Sequence, residues 1–276
     1  MKQTFRKELL SGKTLIGTIV TQPNPAMVEI LADVGFDWLW IDAEHSPMGM
    51  ADIQGILQAV AERCACVVRV PTSNEVYIKK ALDIGAPAII APHVDSVEIA
   101  EQVVKWVKYP PLGERSIGVA RAHGYGLDVA GYMNNANERV AVIVQIEHVK
   151  GAQDIERILD VEGVDAVLIG PYDISGSLGK PGEIDDPDVQ GYITRVREAC
   201  QKCKKPIGII GITVEAASGD EAVIDRVGEK HVPALFAAGA AWATWVQGNR
   251  ADWVAVADKA RVDAMMRRVV KIDPRY

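Results

Sequence analysis

VAVIVQIEHVK, residues 140–150, and its echo DAVLIGPYDISGS, residues 165–177, decide the reading of this chain. Each opens on a short apolar run rich in β-branched residues, too short for a buried helix and suited to a strand. Each run is followed by one acidic residue, Glu147 and Asp173, 26 positions apart. In a barrel of parallel strands the strand ends converge on one pocket, so distant carboxylates can meet there and, with waters, hold a hard divalent cation. An acidic residue after a strand also serves as a solvated loop residue or a helix N-cap. Gly170 and Pro171 weigh toward the metal reading, because they set a close backbone approach and a fixed turn where a ligand would sit.

Outward from these stretches, strand and helix patterns alternate along the chain. A short helix within residues 1–10 is followed by a first strand at 14–20 and a helix at 25–34. FDWLWIDAEH (36–45) is the second strand and ends on a polar cluster, Asp42, Glu44 and His45. CACVVRV (64–70) and PAIIAPHV (87–94) are the third and fourth strands, with helices at 50–63, 73–85 and 96–109. A Gly-, Arg- and His-rich connection at 110–126 is long enough to be functional or disordered. Helices are expected at 128–138, 152–161 and 188–203, the fifth strand at 140–146, the sixth at 165–170, a polar loop from there to 187, and the seventh strand at 205–211. A weaker helical segment (213–228), an Ala-rich eighth strand (234–238) and a terminal helix (251–270) complete the pattern. Eight such units predict an α/β fold, a (β/α)8 TIM barrel forming one domain over 1–276, with a short N-terminal helix and an extended C-terminal helical region. Residues 251–276 are expected to form an oligomerisation helix and tail, since Trp242, Trp245 and Trp253 are too much aromatic surface to leave free.

Composition removes several classes. With 276 residues, 49% of them hydrophobic, the chain can bury a large core, and a net charge of -7 offers no general attraction to nucleic acid or an anionic membrane. No secretory signal or membrane-spanning stretch is read; Cys64 and Cys66 have CxC spacing, and Cys200 and Cys203, although CxxC, lie near the end of a helical segment, so a cytoplasmic protein with ordinary free thiols is expected over a joint zinc site. The first strand leads into QPNP rather than a Gly-rich phosphate cradle, which argues against a nucleotide fold; SGSLG (175–179) alone could offer amides to an anion.

On the barrel reading, Asp42, His45, Arg69, Glu147 and Asp173 all lie at C-terminal strand ends, the face that carries barrel active sites. Arg69, on an otherwise apolar strand, needs an anionic partner, either a protein carboxylate or a substrate carboxylate. Histidine titrates near neutrality, so His45 could transfer a proton with Asp42 fixing its ring, cap a loop, or bind the metal.

GFDWLWIDAEHSP, VVRVP, KKALDIGAPAIIAPHV, YPPLGERSIG, VQIE and GVDAVLIGPYDISGSLG together resemble, in order, the metal-dependent HpcH/HpaI aldolase family, from about Thr14 to Gly211. The resemblance implies a (β/α)8 enzyme that forms a pyruvate enolate without a Schiff-base lysine and cleaves 4-hydroxy-2-oxo acids reversibly to pyruvate, or a related 2-oxo acid, and an aldehyde. It implies Glu147 and Asp173 as ligands of Mg2+, Mn2+ or Co2+, and Arg69 on the oxo acid and its enolate oxygen. His45 becomes the acid/base group oriented by Asp42, Gln145 the pocket floor beside Gly170, Pro171 and Tyr172, and Asp83 a pocket support or neighbouring-subunit contact. A hexamer built as a trimer of dimers is also implied. His93, Tyr172 and the GERSIG loop depart from the family pattern. Oxaloacetate decarboxylation, or macrophomate-synthase-like enolate chemistry, needs the same donor site and is the alternative, with a noncatalytic metabolite-binding barrel behind it.

Overall fold

The β-branched runs become seven parallel strands in the computed structural model of the protein, which describes residues 4–210. They are β1 (Gly17–Val20), β2 (Trp38–Asp42), β3 (Ala65–Arg69), β4 (Ala88–Ala91), β5 (Ala141–Ile146), β6 (Ala166–Ile169) and β7 (Ile207–Ile209). Each pairs with the next in sequence order. Parallel neighbours cannot be joined by a tight turn, so every connection is a crossover, and each carries at least one helix. The helices are α1 (Phe5–Leu9), α2 (Pro25–Asp33), α3 (Met50–Val60), α4 (Glu75–Asp83), α5 (Val97–Val107), α6 (Val129–Arg139), α7 (Val149–Gln153), α8 (Ile155–Asp160), α9 (Pro171–Ser177) and α10 (Pro187–Lys202). Residues 26–37, which hold most of α2, fall outside the compact unit formed by the chain up to 25 and from 38 to 210.

Alternation along the strands builds two apolar faces. On one, Trp40, Val67, Ala88, Ile90, Ala141, Ile143, Ala166 and Leu168 form a single buried cluster with Phe5 of α1, so the sheet curls around a shared interior. On the other, Leu39, Ile41, Val68, Ile89, Val142, Val144, Val167 and Ile169 are buried in the opposite direction, toward the helix layer. Gly17 pairs with Trp38, and a Cβ there would lie 2.5 Å from the indole, so the wide ring is accommodated only by a residue without a side chain. Phe5 is held at the interior by its neighbour: Arg6 donates to Asp165 Oδ1 at 2.9 Å from Nε, while Asp165 Oδ2 accepts from Val142 N at 2.9 Å.

The expected strands one to seven are present, with ends trimmed by a few residues. The expected polar loop before residue 187 contains α9, started by Pro171 in the first helical turn; residues 175–177 lie within that helix, Leu178 N bonds to Ile174 O and Gly179 N to Gly176 O, so the SGSLG amides are not free for an anion. The single helix expected at 152–161 is two, broken at Asp154. All four cysteines are free thiols. The 110–126 connection is ordered by its arginines, with Arg115 on Asp83 at 2.8 Å and Arg121 on Ile84 O at 2.8 Å. The weaker helix at 213–228, the eighth strand at 234–238, the tryptophans and the terminal helix lie outside the described residues. Among the described residues, no helix is long and apolar enough to cross a membrane.

Candidate active site

The parity that builds the interior also builds the site. Following the inward positions, β2 runs Trp38, Trp40, Asp42; β3 runs Val67, Arg69; β5 runs Ala141, Ile143 and Gln145, with Glu147 next. The stripe therefore turns from apolar to polar at the C-terminal rim. Asp42 and Arg69 are direct register partners across β2 and β3. Arg69 grips Asp42 bidentately, Nε to Oδ1 at 2.8 Å and Nη2 to Oδ2 at 2.7 Å, and its guanidinium lies 4.9 Å from the Trp40 ring. Its third nitrogen, Nη1, is 3.0 Å from Glu44 Oε2. That oxygen has no aligned hydrogen-bond donor, so the contact is one of charge and leaves its lone pairs open.

Glu147 is buried on the opposite wall. His93 N donates to its Oε1 at 2.6 Å, and Gln145 Nε2 donates to its Oε2. Gly170 comes so close that a Cβ there would lie 2.8 Å from Glu147 Cβ. Burial pushes the Glu147 carboxyl up from its ordinary range, and the charge of Asp173 pushes it further. Burial likewise raises Glu44, more than Arg69 lowers it. Gln145 is fully buried and its Oε1 has no hydrogen-bond partner among the described residues. Ligand atoms of Glu44, His93 and Glu147 lie within 4.8 Å of one another.

The sequence-predicted residues are thus brought together unevenly. Asp42, Arg69, Gln145, Glu147 and Gly170 share the rim. Pro171 is buried and starts α9; Tyr172 and Asp173 are exposed in its first turn, and Asp173 stands outside the Glu44–His93–Glu147 trio. His45 does not donate a hydrogen bond to Asp42, whose two oxygens accept from Arg69 and from Glu44 N. The imidazole is 70% exposed, with Nε2 4.0 Å from Glu44 Oε2. Asp83 ends α4, near the start of β4 and away from the rim, and its partner is Arg115. Glu44 was not singled out from the sequence, although it continues the inward parity of Asp42 two residues on.

The donor set suits a hard or borderline divalent cation. A buried carboxylate, Glu147, and a half-buried one, Glu44, are penalised for carrying charge, a buried amide oxygen is without a hydrogen-bond partner among the described residues, and one guanidinium cannot balance Asp42, Glu44 and Glu147 together. A curled parallel sheet with charged side chains gathered at its C-terminal strand ends has the layout of a barrel-type active site. The chain belongs to the HpcH/HpaI aldolase/citrate lyase family, whose model matches residues 16–231. It is 38% identical to 2-keto-3-deoxy-L-rhamnonate aldolase of Klebsiella pneumoniae over 77% of this chain and 80% of that protein. Among solved structures it resembles an HpcH/HpaI aldolase/citrate lyase family protein from Burkholderia cenocepacia (35% identity, TM-score 0.74, 79% of this chain and 88% of that one). Macrophomate synthase is also similar (27% identity, TM-score 0.67, 81% and 80%). A second family model, the TRAP transporter T-component, matches residues 212–276.

Proposed function

We propose that this protein is an aldolase that cleaves 4-hydroxy-2-oxo acids between the third and fourth carbons, giving pyruvate, or a close 2-oxo acid, and an aldehyde. The observation that carries the reading is the buried Glu147 carboxylate, fixed by His93 N and Gln145 Nε2 and near the Asp42–Arg69–Glu44 group, with no lysine or arginine bonded to it among the described residues. Glu147, with Asp173 beside it, would hold Mg2+, Mn2+ or Co2+, which when bound supplies positive charge beside the substrate's 2-oxo group.

This chain's residues supply the rest. Arg69 has five N–H donors, of which Asp42 takes two while Glu44 meets Nη1 through charge alone, so N–H groups on both terminal nitrogens are left to bind the oxo-acid end and the enolate oxygen. Gln145 Oε1, with Gly170, Pro171 and Tyr172, bounds the donor pocket. His45 takes the proton from the hydroxyl on the fourth carbon as the carbon–carbon bond breaks and its electron pair moves onto the 2-oxo oxygen; protonation at the third carbon then releases pyruvate. The relative's substrate, 2-keto-3-deoxy-L-rhamnonate, fits this scheme and would yield pyruvate and lactaldehyde.

Oxaloacetate decarboxylation is the second reading, and one observation favours it: His45 lacks the orienting contact from Asp42, and decarboxylation has no hydroxyl to deprotonate. The test is an assay of metal-loaded enzyme on a panel of 4-hydroxy-2-oxo acids beside oxaloacetate, with His45→Ala and Arg69→Ala. Arg69→Ala is expected to damage both reactions and His45→Ala the aldol cleavage more. Efficient oxaloacetate turnover indifferent to His45→Ala, with no cleavage of any panel member, would replace the aldolase reading by the decarboxylase one.

We also propose that residues 234–238 complete the (β/α)8 barrel within a single domain over 1–276, and that a cytoplasmic homo-hexamer, a trimer of dimers joined through 251–276, is the working form. It would have no nucleic-acid or membrane partner. Sedimentation of the full chain as a monomer at assay concentration would reject the assembly.

A further inference from the structure

His93 sits at the end of β4 with φ +51°, a left-handed conformation that costs free energy in any residue bearing a Cβ. The conformation has two consequences. It aims the His93 N–H at Glu147 Oε1, 2.6 Å away, and it keeps the imidazole beside the same oxygen, with Nδ1 3.7 Å from it. The ring is 60% exposed, and 3.7 Å is too long for a hydrogen bond, so packing and hydrogen bonding among the described residues do not explain its position.

That separation does suit two ligands of one ion. With metal–ligand bonds of about 2.1 Å, neighbouring ligand atoms are about 3.0 Å apart in an octahedron and about 3.4 Å in a tetrahedron, and opposite ones about 4.2 Å. The Nδ1–Oε1 spacing lies inside this range, and Glu44 brings a third donor within 4.8 Å of both. Two independent features mark the space as built for a ligand: Gln145, fully buried and bonded to Glu147, has an orphaned Oε1, and Glu44 Oε2 is buried without a hydrogen-bond donor. We infer that the His93 imidazole is a further ligand of the divalent ion that Glu147 and Asp173 would hold, with Glu44 lining the same space, and that this nitrogen shifts the site's preference from Mg2+ toward Co2+ and Zn2+. Imidazole is a softer donor than carboxylate or water, which gives the direction of the shift.

The inference rests on the metal-dependent reading above, and its test separates the two. Pulsed EPR of the Mn2+-loaded full chain reports nitrogen bonded to the ion, and competition titrations with Co2+ and Mg2+ report selectivity. The variants are His93→Gly, which tolerates the left-handed backbone, His93→Ala, and His45→Ala as the control for the other nearby imidazole. Nitrogen coupling is expected in the parent and in His45→Ala and absent from both His93 variants. Co2+ affinity should fall at least about tenfold in those variants while Mg2+ affinity stays within about threefold. Coupling that survives His93→Gly, or equal losses for Co2+ and Mg2+, overturns the assignment while leaving the metal-dependent aldolase reading in place. A parent protein that binds none of the three ions overturns both.

Discussion

Replacing Gly170 by alanine adds one methyl group to the most crowded point of the rim. The new Cβ would lie 2.8 Å from Glu147 Cβ, 3.3 Å from Glu147 Oε2 and 3.4 Å from Gln145 Nε2. Carbon atoms prefer separations of about 3.5–4.0 Å, so the first contact is short by roughly 0.7 Å or more. Gly170 has φ -106°, which alanine adopts freely, so the cost is crowding and not backbone strain. Glu147 has little room to yield, being buried with both oxygens bonded to His93 N and Gln145 Nε2. Overpacking of this kind costs about 1–3 kcal/mol. If the strain is relieved by displacing the carboxylate, metal affinity should drop about tenfold for each ~1.4 kcal/mol. Gly191→Ala is the control: that glycine is exposed inside α10 with no atom within 4 Å of a Cβ, and the change should stabilise the helix by about 1 kcal/mol. Urea denaturation of the metal-free proteins and calorimetric titration with Mn2+ read the two effects. A Gly170→Ala protein with parental stability and parental Mn2+ affinity would refute the reasoning that Gly170 exists to admit Glu147.

Three further expectations follow from groups away from the rim. Burial pushes the Lys108 ammonium down to about 8, while its Nζ donates to Asn137 O and Val140 O, bonds that the neutral amine can keep. Between pH 8 and the unfolded value of 10.5 the unfolded chain binds more protons, so Lys108 makes stability rise with pH there by an amount on the order of 2 kcal/mol; urea melts at pH 7.5 and 9.5 should show a steeper rise in the parent than in Lys108→Met, and equal slopes would refute it. Burial raises the Cys66 and Cys200 thiols to about 12 and Cys64 is buried too, so a disulfide reagent at pH 8 should label Cys203 quickly and the other three only on unfolding. Phe5→Ala removes the aromatic member of the interior cluster that comes from outside the sheet, and should cost about 3 kcal/mol in a denaturation experiment; a loss below about 1 kcal/mol would mean that α1 is not a structural plug.

Much of this arrangement was legible because one rule, alternation along a strand, governs both core and site. Once β2, β3 and β5 are read as strands, Asp42, Arg69, Gln145 and Glu147 fall on the face that Trp40, Val67 and Ile143 occupy below them. The same rule reaches Glu44, but Glu44 follows the end of β2, where alternation need not continue, so sequence alone gave no warrant for extending it. Asp42 was paired with the wrong neighbour because the short path along the chain to His45 competes with a cross-strand partner, Arg69, 27 residues away, that only register reveals. His93 stood out as a departure from the family pattern, yet its value depends on a left-handed backbone angle that no side-chain pattern announces. The helix α9 was missed because GPYDISGSLG is rich in turn formers; Pro171 in its first turn was the available signal. Toward the C-terminus the motifs that carry the resemblance end near Gly211, while the family model continues to residue 231 and a second family model matches 212–276.

The geometry of Arg69 removes an apparent choice between structural and functional roles. Arg69 was expected either to neutralise a protein carboxylate or to bind a substrate one, and a planar guanidinium can do both at once. Asp42 takes one edge with two parallel hydrogen bonds, fixing the plane, and Glu44 meets Nη1. An N–H on each terminal nitrogen is then held in a set direction, in a pocket whose other charged groups, Glu44 and Glu147, are carboxylates raised by burial. A lysine could neutralise Asp42 but could not hold two directed donors rigid while doing so. Asp42 and Glu44, which look like excess negative charge, are therefore what orient Arg69, the group that under the proposed function receives an anionic substrate. The same excess makes a divalent ion favourable, so substrate orientation and metal affinity draw on a single set of residues. Asp42 belongs to that set through Arg69 and not through His45.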